Sequence, residues 1–107
     1  MDVSEAVEGL GALAQDSRLA VFRLLVQEGP AGLAAGEISR RTGILPTTLS
    51  FHLSQLSRAG LVSARRAGRM LIYAADFALA QALVEFLMEN CCQGAAPRTA
   101  ARAKGRR

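Results

Sequence analysis

Cys91 and Cys92 are the residues of this chain with the most distinctive chemistry, and the chain has no other cysteine. They stand side by side in the stretch NCCQG, directly after the last strongly apolar segment. Thiolates bind soft metal and metalloid centres, and they are also open to oxidation. A bond between neighbouring cysteines would close a small strained ring that links no distant parts of a fold. The pattern leaves open a ligand site, a redox site and a pair of side chains without a role.

Arginines are the second chemical feature of the sequence. The chain has 13 basic and 9 acidic side chains, which gives a net charge of +4. Residues 98–107 contain no carboxylate, and neither do residues 38–75, although the second stretch is rich in arginine. Its arginines are Arg40, Arg41, Arg58, Arg65, Arg66 and Arg69. Segregation of this kind indicates a surface that faces a polyanion.

Length and composition indicate one compact domain. The chain has 107 residues, of which 50% are apolar, and this suffices for a small core. No basic and then apolar leader is visible, so we expect no signal peptide. The last apolar run is broken by Gln81 and Glu85 and is shorter than the roughly 20 residues that span a bilayer. We therefore expect a cytoplasmic protein with no membrane partner, whose thiols stay reduced.

Apolar residues at helical spacing predict two amphipathic helices before Pro30. The first has its apolar stripe at Val3, Val7, Leu10 and Ala14. The second is expected to begin at a cap formed by Asp16 or Ser17 and to end at Gly29. The residues expected on its inward face are Leu19, Phe22 and Val26, with Leu25 beside them.

A short helix and a longer helix are expected next. The short one turns Ile38 inward and ends at Gly43. The longer one has Pro46 in its first turn, where the missing N–H costs no hydrogen bond, and it ends at Gly60. Its buried stripe consists of Leu49, Leu53 and Leu56.

The periodicity changes after Gly60. Leu61–Arg65 and Met70–Ala74 favour two strands, and Ala67-Gly68 between them favours a hairpin turn. Asp76 can then cap a final helix, which has apolar residues around most of its circumference. A helix that is apolar on nearly every side must be buried on nearly every side. In so short a chain, the expected cover is a second copy of the same subunit.

Two helices joined by a turn and followed by a hairpin give the order of a winged helix-turn-helix. We expect this fold, mainly α with a small β-hairpin, over residues 1–93, and a basic, disordered tail over residues 94–107. The second helix of such a unit enters the major groove of DNA. Its polar and aromatic residues outside the buried stripe are Thr47, Thr48, Ser50, Phe51, Ser54 and Gln55. Arginines expected at the hairpin tip, within reach of phosphates or a minor groove, are Arg65, Arg66 and Arg69.

Three stretches of this sequence are similar to the ArsR/SmtB family of bacterial metal- and metalloid-responsive repressors. They are ALAQDSRLAVFRLL, SFHLSQLSRAGLVSARRAGRMLIY and FLMENCCQG, and the resemblance spans roughly residues 9–93. It implies a homodimer that binds double-stranded operator DNA. It also implies that Ser50 and His52 lie in the recognition helix, Gly68 and Arg69 at the wing turn, and Tyr73 in the second wing strand.

His52 is the only histidine of the chain. On the recognition helix it would lie beside Leu49 and Leu53, near the side that faces DNA. A phosphate or backbone contact is the favoured role, with a structural role as the alternative. Metal ligation is disfavoured, because the cysteines lie some forty residues away along the chain.

The resemblance also bears on what the protein senses. Residues 42–50 lack the cysteines of the family's metalloid site, and the last helix lacks the histidines of its zinc site. Cys91 and Cys92 match a subgroup with adjacent cysteines directly after the last helix, which implies trivalent arsenic as the inducer. Relatives with this pair often have a third cysteine, which inorganic arsenite prefers and which residues 93–107 lack. A methylated trivalent arsenical needs only two thiolates, and antimonite is equally soft.

The sequence thus predicts a homodimeric repressor that binds operator DNA and leaves it when arsenite or methylarsenite binds Cys91 and Cys92. The alternative is a repressor of the same fold that responds to oxidation or persulfidation of these thiols. A winged helix that serves protein–protein contact is a further alternative. We expect no intrinsic cofactor. We expect no enzyme either, since the sequence has no Cys-x-x-Cys motif, nucleophile elbow or phosphate-binding loop.

Overall fold

The computed structural model describes residues 1–95 and contains five helices and three strands. In chain order these are α1 (Val3–Leu13), α2 (Asp16–Glu28), β1 (Leu33–Ala34), α3 (Ala35–Thr42), α4 (Pro46–Arg58), β2 (Val62–Ala67), β3 (Met70–Ala75) and α5 (Phe77–Met88). The predicted helices and hairpin are confirmed, and so is the winged helix-turn-helix order. The predicted domain boundary at residue 93 stays a prediction. The basic residues of the predicted tail lie outside the described residues.

The strands form one antiparallel sheet in the order β1-β3-β2. Ala67 pairs with Met70, so the wing turn consists of Gly68 and Arg69, one residue later than the predicted turn. Strand β1 was not predicted, because two residues are too few for an alternating pattern. Gly32 lets β1 approach β3: its φ is 72°, and a Cβ at this position would collide with the carbonyl oxygen of Tyr73.

The core lies between α2, α3, α4 and the sheet. Ile38 and the predicted stripe of α4 (Leu49, Leu53 and Leu56) are buried in it, as the sequence predicted. The predicted inward face of α2 was partly wrong. Leu19 and Val26 are 43% and 40% exposed, while Val21 is fully buried next to Phe22 and Leu25. Apolar residues occur on more than one side of α2, so spacing alone did not decide which side packs against α4 and β3.

Side chains cap three of the helices at their N-termini. Asp2 and Glu5 form a capping box at α1. Helix α2 is capped by Gln15, whose side chain accepts a hydrogen bond from the backbone N–H of Arg18 at 2.9 Å, and not by Asp16 or Ser17. Asp76 caps α5 as predicted, accepting from the N–H of Leu79 at 2.9 Å. These caps satisfy N–H groups that the first turn of a helix leaves without partners.

Helices α1 and α5 pack against each other through small and buried residues. Ala6 and Gly9 of α1 are buried, and Gly9 faces Leu83 of α5. The predicted apolar stripe of α1 points the other way. The large apolar side chains that these two helices expose are Val3, Val7, Leu10, Phe77, Val84, Leu87 and Met88. Neither helix, nor any other within residues 1–95, is long and apolar enough to cross a membrane.

Candidate nucleic-acid interface

Helix α4 presents two chemically different faces. Leu49, His52, Leu53 and Leu56 are buried. The opposite face is polar apart from the ring of Phe51, which is 57% exposed. The exposed members of the predicted set are Thr47, Thr48, Ser50, Phe51 and Ser54, whereas Gln55 is half-buried. This face offers hydroxyl groups for base edges or phosphates and an apolar surface for a thymine methyl group.

The turn before α4 is held by side-chain hydrogen bonds. Gly43 ends α3 with a φ of 77°, in the left-handed region that favours glycine. The Ser39 hydroxyl donates to the carbonyl of Ile44 at 2.6 Å, and the Ile44 N–H donates to Thr42 Oγ1 at 3.2 Å. Pro46 then occupies the first turn of α4. Together these contacts fix the angle at which α4 leaves α3.

Arg58 belongs to this face, although it is not among the individual DNA-contacting residues predicted for α4 and the wing. It follows Ser54 by four residues and Phe51 by seven, so the three share one side of the helix. Its side chain is exposed and forms no ion pair within residues 1–95. The helical spacing from Phe51, read together with the carboxylate-free stretch, was the signal that could have identified it.

The wing consists of β2, β3 and the turn between them. Arg69 lies in the turn, and Arg66 lies in β2 opposite Leu71. Both are exposed, and in the described part of the chain neither forms an ion pair. Arg65 corrects the prediction that three arginines sit at the tip. It lies further down the strand, and its guanidinium donates to the carbonyl of Ala31 at 2.8 Å, which ties the wing to the loop before β1.

Arg40 and Arg41 do not add to a free positive surface, contrary to the expectation from the carboxylate-free stretch. Glu37 receives hydrogen bonds from both guanidinium groups, and Arg41 also pairs with Glu28 at 3.2 Å. The bonds from Arg40 and then Arg41 lower the pKa of Glu37 to about 2. Glu28 and Glu37 precede residue 38, so the charges within residues 38–75 alone do not reveal that these carboxylates neutralise the two arginines.

His52 is not on the exposed face, which corrects the favoured prediction of a DNA contact. Its side chain is 8% exposed, and its Nδ1 lies 3.4 Å from Nη1 of Arg18 in α2. The ring centroids of His52 and Phe51 are 5.8 Å apart. His52 is next to Leu53 and three residues after Leu49, so it borders the buried stripe. Packing of α1 and α2 against α4 extends the buried face to include it. The geometry therefore supports a structural role for His52, which was the alternative prediction.

The cysteine pair follows the end of α5 and is exposed. The backbone N–H of Cys91 donates to the carbonyl of Met88 at 3.0 Å, so the pair is held against the last turn of the helix. The two Sγ atoms lie next to each other. Within residues 1–95, no group of three or more His, Cys, Asp or Glu side chains is placed to hold a metal ion.

Comparison with known proteins places this geometry in a family. A model described as a helix-turn-helix domain matches residues 13–64. The transcriptional activator HlyU of Vibrio cholerae is 32% identical over 90 residues, which are 84% of this chain and 81% of that protein. The nodulation protein NolR of Rhizobium meliloti is 34% identical over 75 residues, 70% of this chain and 59% of that protein.

Solved structures agree with these sequence relatives. A structure of the Vibrio cholerae HlyU superimposes with a TM-score of 0.67 at 31% identity, covering 82% of this chain and 95% of that one. A homodimeric winged helix-turn-helix DNA-binding domain from Mycobacterium bovis, described as a possible ArsR-family regulator, gives a TM-score of 0.64 at 32% identity, with coverage of 82% and 86%. This chain belongs to the ArsR-like family of winged helix-turn-helix transcriptional regulators.

Membership of the ArsR-like family accounts for the elements that the resemblance implied. Ser50 lies in α4, Gly68 and Arg69 form the wing turn, and Tyr73 lies in β3. The relatives are named as regulators, so the chain is a regulator and not an enzyme. One of them is named as an activator, so the family does not by itself make this ArsR-like chain a repressor.

Proposed function

We propose that this protein is a homodimeric repressor that binds operator DNA and releases it when Cys91 and Cys92 are engaged by a trivalent arsenical. The observation that supports DNA binding best is the exposed face of α4 together with two exposed wing arginines, Arg66 and Arg69, which form no ion pair within residues 1–95. Exposed hydroxyls and one aromatic ring suit base edges, and free guanidinium groups suit phosphates. A winged helix that served protein–protein contact through an apolar surface would not need these hydroxyl and guanidinium groups.

The apolar residues exposed by α1 and α5 support the dimer. Val84, Leu87 and Met88 of α5 are each more than half exposed, as are Val3 and Val7 of α1. Large exposed apolar residues on two helices that pack together indicate an interaction site. The Mycobacterium bovis relative is described as homodimeric. A two-fold axis through this surface would present two α4 helices to successive major grooves.

Within that dimer the exposed residues have distinct roles. Thr47, Ser50, Phe51 and Ser54 face base edges, with Thr48 and Gln55 at the border of this set. Arg66 and Arg69 contact phosphates or the adjacent minor groove, and Arg58 contacts phosphate at the other end of α4. Arg65 and His52, which the structure holds in contacts within the protomer, have no direct DNA contact.

The cysteine pair supports the sensing step through its chemistry and its position. Thiolates are soft ligands that suit trivalent arsenic, and two adjacent ones lose little further freedom on chelation. The pair directly follows α5, one of the two helices with exposed apolar surface. A ligand bound there can therefore alter the spacing of the two α4 helices. The chain supplies two thiols and no third, so methylarsenite fits at least as well as arsenite, and antimonite is a further candidate because it is equally soft.

A second candidate is a regulator that responds to oxidants or persulfides through the same two residues. The specific observation in its favour is that the two Sγ atoms lie next to each other and that both residues are exposed, so an oxidant can reach them. The Vibrio cholerae relative has also been solved in a form described as reduced. In this case the trigger is oxidation of the pair and not metalloid binding.

One titration distinguishes the two candidates. The full chain is reduced, freed of reductant and bound to labelled DNA from upstream of its own gene. Arsenite, methylarsenite, antimonite, zinc, peroxide and a persulfide donor are then added in parallel. Release at near-stoichiometric methylarsenite or arsenite, with no response to peroxide, supports the arsenical sensor. Release by peroxide or persulfide alone supports the second candidate, and retention with every compound overturns both.

A further inference from the structure

Arg18 connects three helices, and this connection is the basis of the inference. Its Nε donates to the carbonyl of Ala12 at 2.6 Å, and its Nη1 faces Nδ1 of His52 at 3.4 Å. Ala12 lies in the last turn of α1, which has no basic residue of its own. The last carbonyls of a helix lack partners and carry partial negative charge. Arg18 of α2 therefore caps α1 from outside while it touches α4.

The hydrogen-bonding role of His52 follows from this geometry. Among residues 1–95 it is the one polar side chain that is buried. A guanidinium group donates hydrogen bonds and accepts none, so Nδ1 is on the accepting side of this contact. The proton of the neutral ring is then on Nε2. At 3.4 Å the contact is long for a hydrogen bond.

We propose that Arg18 is a positioning residue of the recognition helix, acting through neutral His52, and that protonation of His52 weakens DNA binding. This inference rests on the DNA binding proposed above. The contact joins α1, whose outer face is proposed for dimerisation, to α4, whose outer face is proposed to read DNA. Its removal changes how α4 sits on the rest of the protomer without removing any group from the DNA surface.

The charged groups around His52 determine the direction of the pH effect. Arg18 lies in contact, and a cleft of about 280 Å³ beside it is lined by Gln55, Arg58 and Glu8, among others. Glu8 is the one carboxylate lining that cleft, and it forms no ion pair with Arg18 in the described chain. Protonation of His52 thus places a second positive charge next to a guanidinium without a paired carboxylate. The two cations repel each other, and Nδ1 no longer accepts.

A histidine that touched DNA would give the opposite result. Protonation would add a positive charge at a phosphate and raise the affinity at low pH. Acidification therefore lowers the DNA affinity if His52 positions α4 and raises it if His52 contacts DNA. His52 is the only histidine of the chain, so the experiment follows a single imidazole.

The first part of the experiment needs no DNA. In ¹⁵N–¹H spectra of the native protein at pH about 8, we expect the imidazole to carry its proton on Nε2, with Nδ1 unprotonated. In Arg18→Gln, we expect the Nδ1 resonance to shift, whereas Arg23→Gln should leave it unchanged. Arg23 is an exposed arginine of the same helix without an ion pair in the described residues, so it is a matched control. A proton on Nδ1 in the native protein would overturn the proposed contact.

The second part measures DNA affinity by fluorescence anisotropy. The probe is a labelled duplex selected from a random pool with the native protein, at constant salt. Between pH about 8 and about 5.5, we expect the native affinity to fall by about fivefold or more, within the usual range of coupling effects. In His52→Asn, whose amide oxygen replaces Nδ1 as acceptor, the fall should disappear. Arg18→Gln should lower the affinity at pH about 8 with an unchanged salt slope, while Arg23→Gln should change neither.

Each contrary result has a definite meaning. An affinity that rises on acidification, or an equal fall in His52→Asn, overturns the role of His52. A reduced salt slope in Arg18→Gln would show that Arg18 contacts phosphate and is not a positioning residue. If the native protein selects and binds no duplex at any pH, the proposed DNA binding fails, and the spectra still decide whether the Arg18–His52 contact exists. Circular dichroism of each variant separates these outcomes from unfolding.

Discussion

Single residues show most clearly where a sequence is informative about this site and where it is not. The residue types on the face of α4 and in the wing indicate a polyanion surface, and Arg66 and Arg69 lie exposed in the wing. Arg40, Arg41 and Arg65 have the same chemistry, but their partners come from other parts of the chain: Glu28 and Glu37 for the first two, a loop carbonyl for the third. Such pairing depends on tertiary structure, which local composition does not report.

The wing arginines give a prediction at this scale. We expect Arg66→Ala and Arg69→Ala to weaken binding to all duplexes similarly and to reduce the salt slope by about 0.9 for each phosphate that is no longer neutralised. Arg40→Ala is the matched control, since Arg40 is already paired with Glu37, and it should change the slope less. Affinities across a salt series provide the measurement. Equal slopes for the native protein and the double wing variant would remove the wing from the interface.

At the scale of elements, most of the fold was predictable because the sequence marks the ends of the helices. Gly43, Pro46, Gly60 and Asp76 delimit α3, α4 and α5 through backbone preferences that act locally. Strand β1 and the buried side of α2 were not predictable in this way. Two residues form β1 because β3 is available to pair with them, and α2 turns Val21 inward because α4 and the sheet cover that side.

Gly32 provides a prediction for the strand that the sequence did not reveal. Its positive φ and its close approach to the carbonyl of Tyr73 leave no room for a side chain. We expect Gly32→Ala to lower the free energy of unfolding by about 1 kcal/mol or more. Gly36→Ala is the control, because a Cβ there meets nothing within 4 Å and alanine favours the helix. Urea denaturation of both variants tests this; equal stability of Gly32→Ala and the native protein would mean that β1 does not approach β3 so closely.

At the scale of the whole molecule, the exposed apolar faces of α1 and α5 are the main feature that one protomer leaves uncovered. An all-apolar α5 predicted a partner subunit, but it did not show which residues face inward. Leu83 is buried against α1 within the protomer, so charging it would disturb the fold itself. Leu87 is 58% exposed and is the better choice for testing association.

We expect Leu87→Glu to give a folded monomer at micromolar concentration with much weaker DNA binding, because a charge in an apolar interface is costly to bury. Val26→Glu is the control: it also charges an exposed apolar residue, but on α2, and should remain dimeric. Sedimentation equilibrium measures both. A native chain that is itself monomeric at this concentration, or a Leu87→Glu protein that stays dimeric, would contradict the proposed interface.

The sensing step also belongs to the whole molecule, because Cys91 and Cys92 can influence DNA only through the two protomers together. An inducer acts through its different affinities for the DNA-bound and free states. We therefore expect Cys91→Ser and Cys92→Ser to keep the native fold and DNA affinity and to lose release by methylarsenite, since each variant removes one of two sulfurs. Anisotropy titrations with methylarsenite and arsenite measure this.

Unchanged release from the double variant would exclude the pair as the arsenical site. Stronger release of the native protein by arsenite than by methylarsenite would require a third sulfur, which only a cysteine of the second protomer can provide.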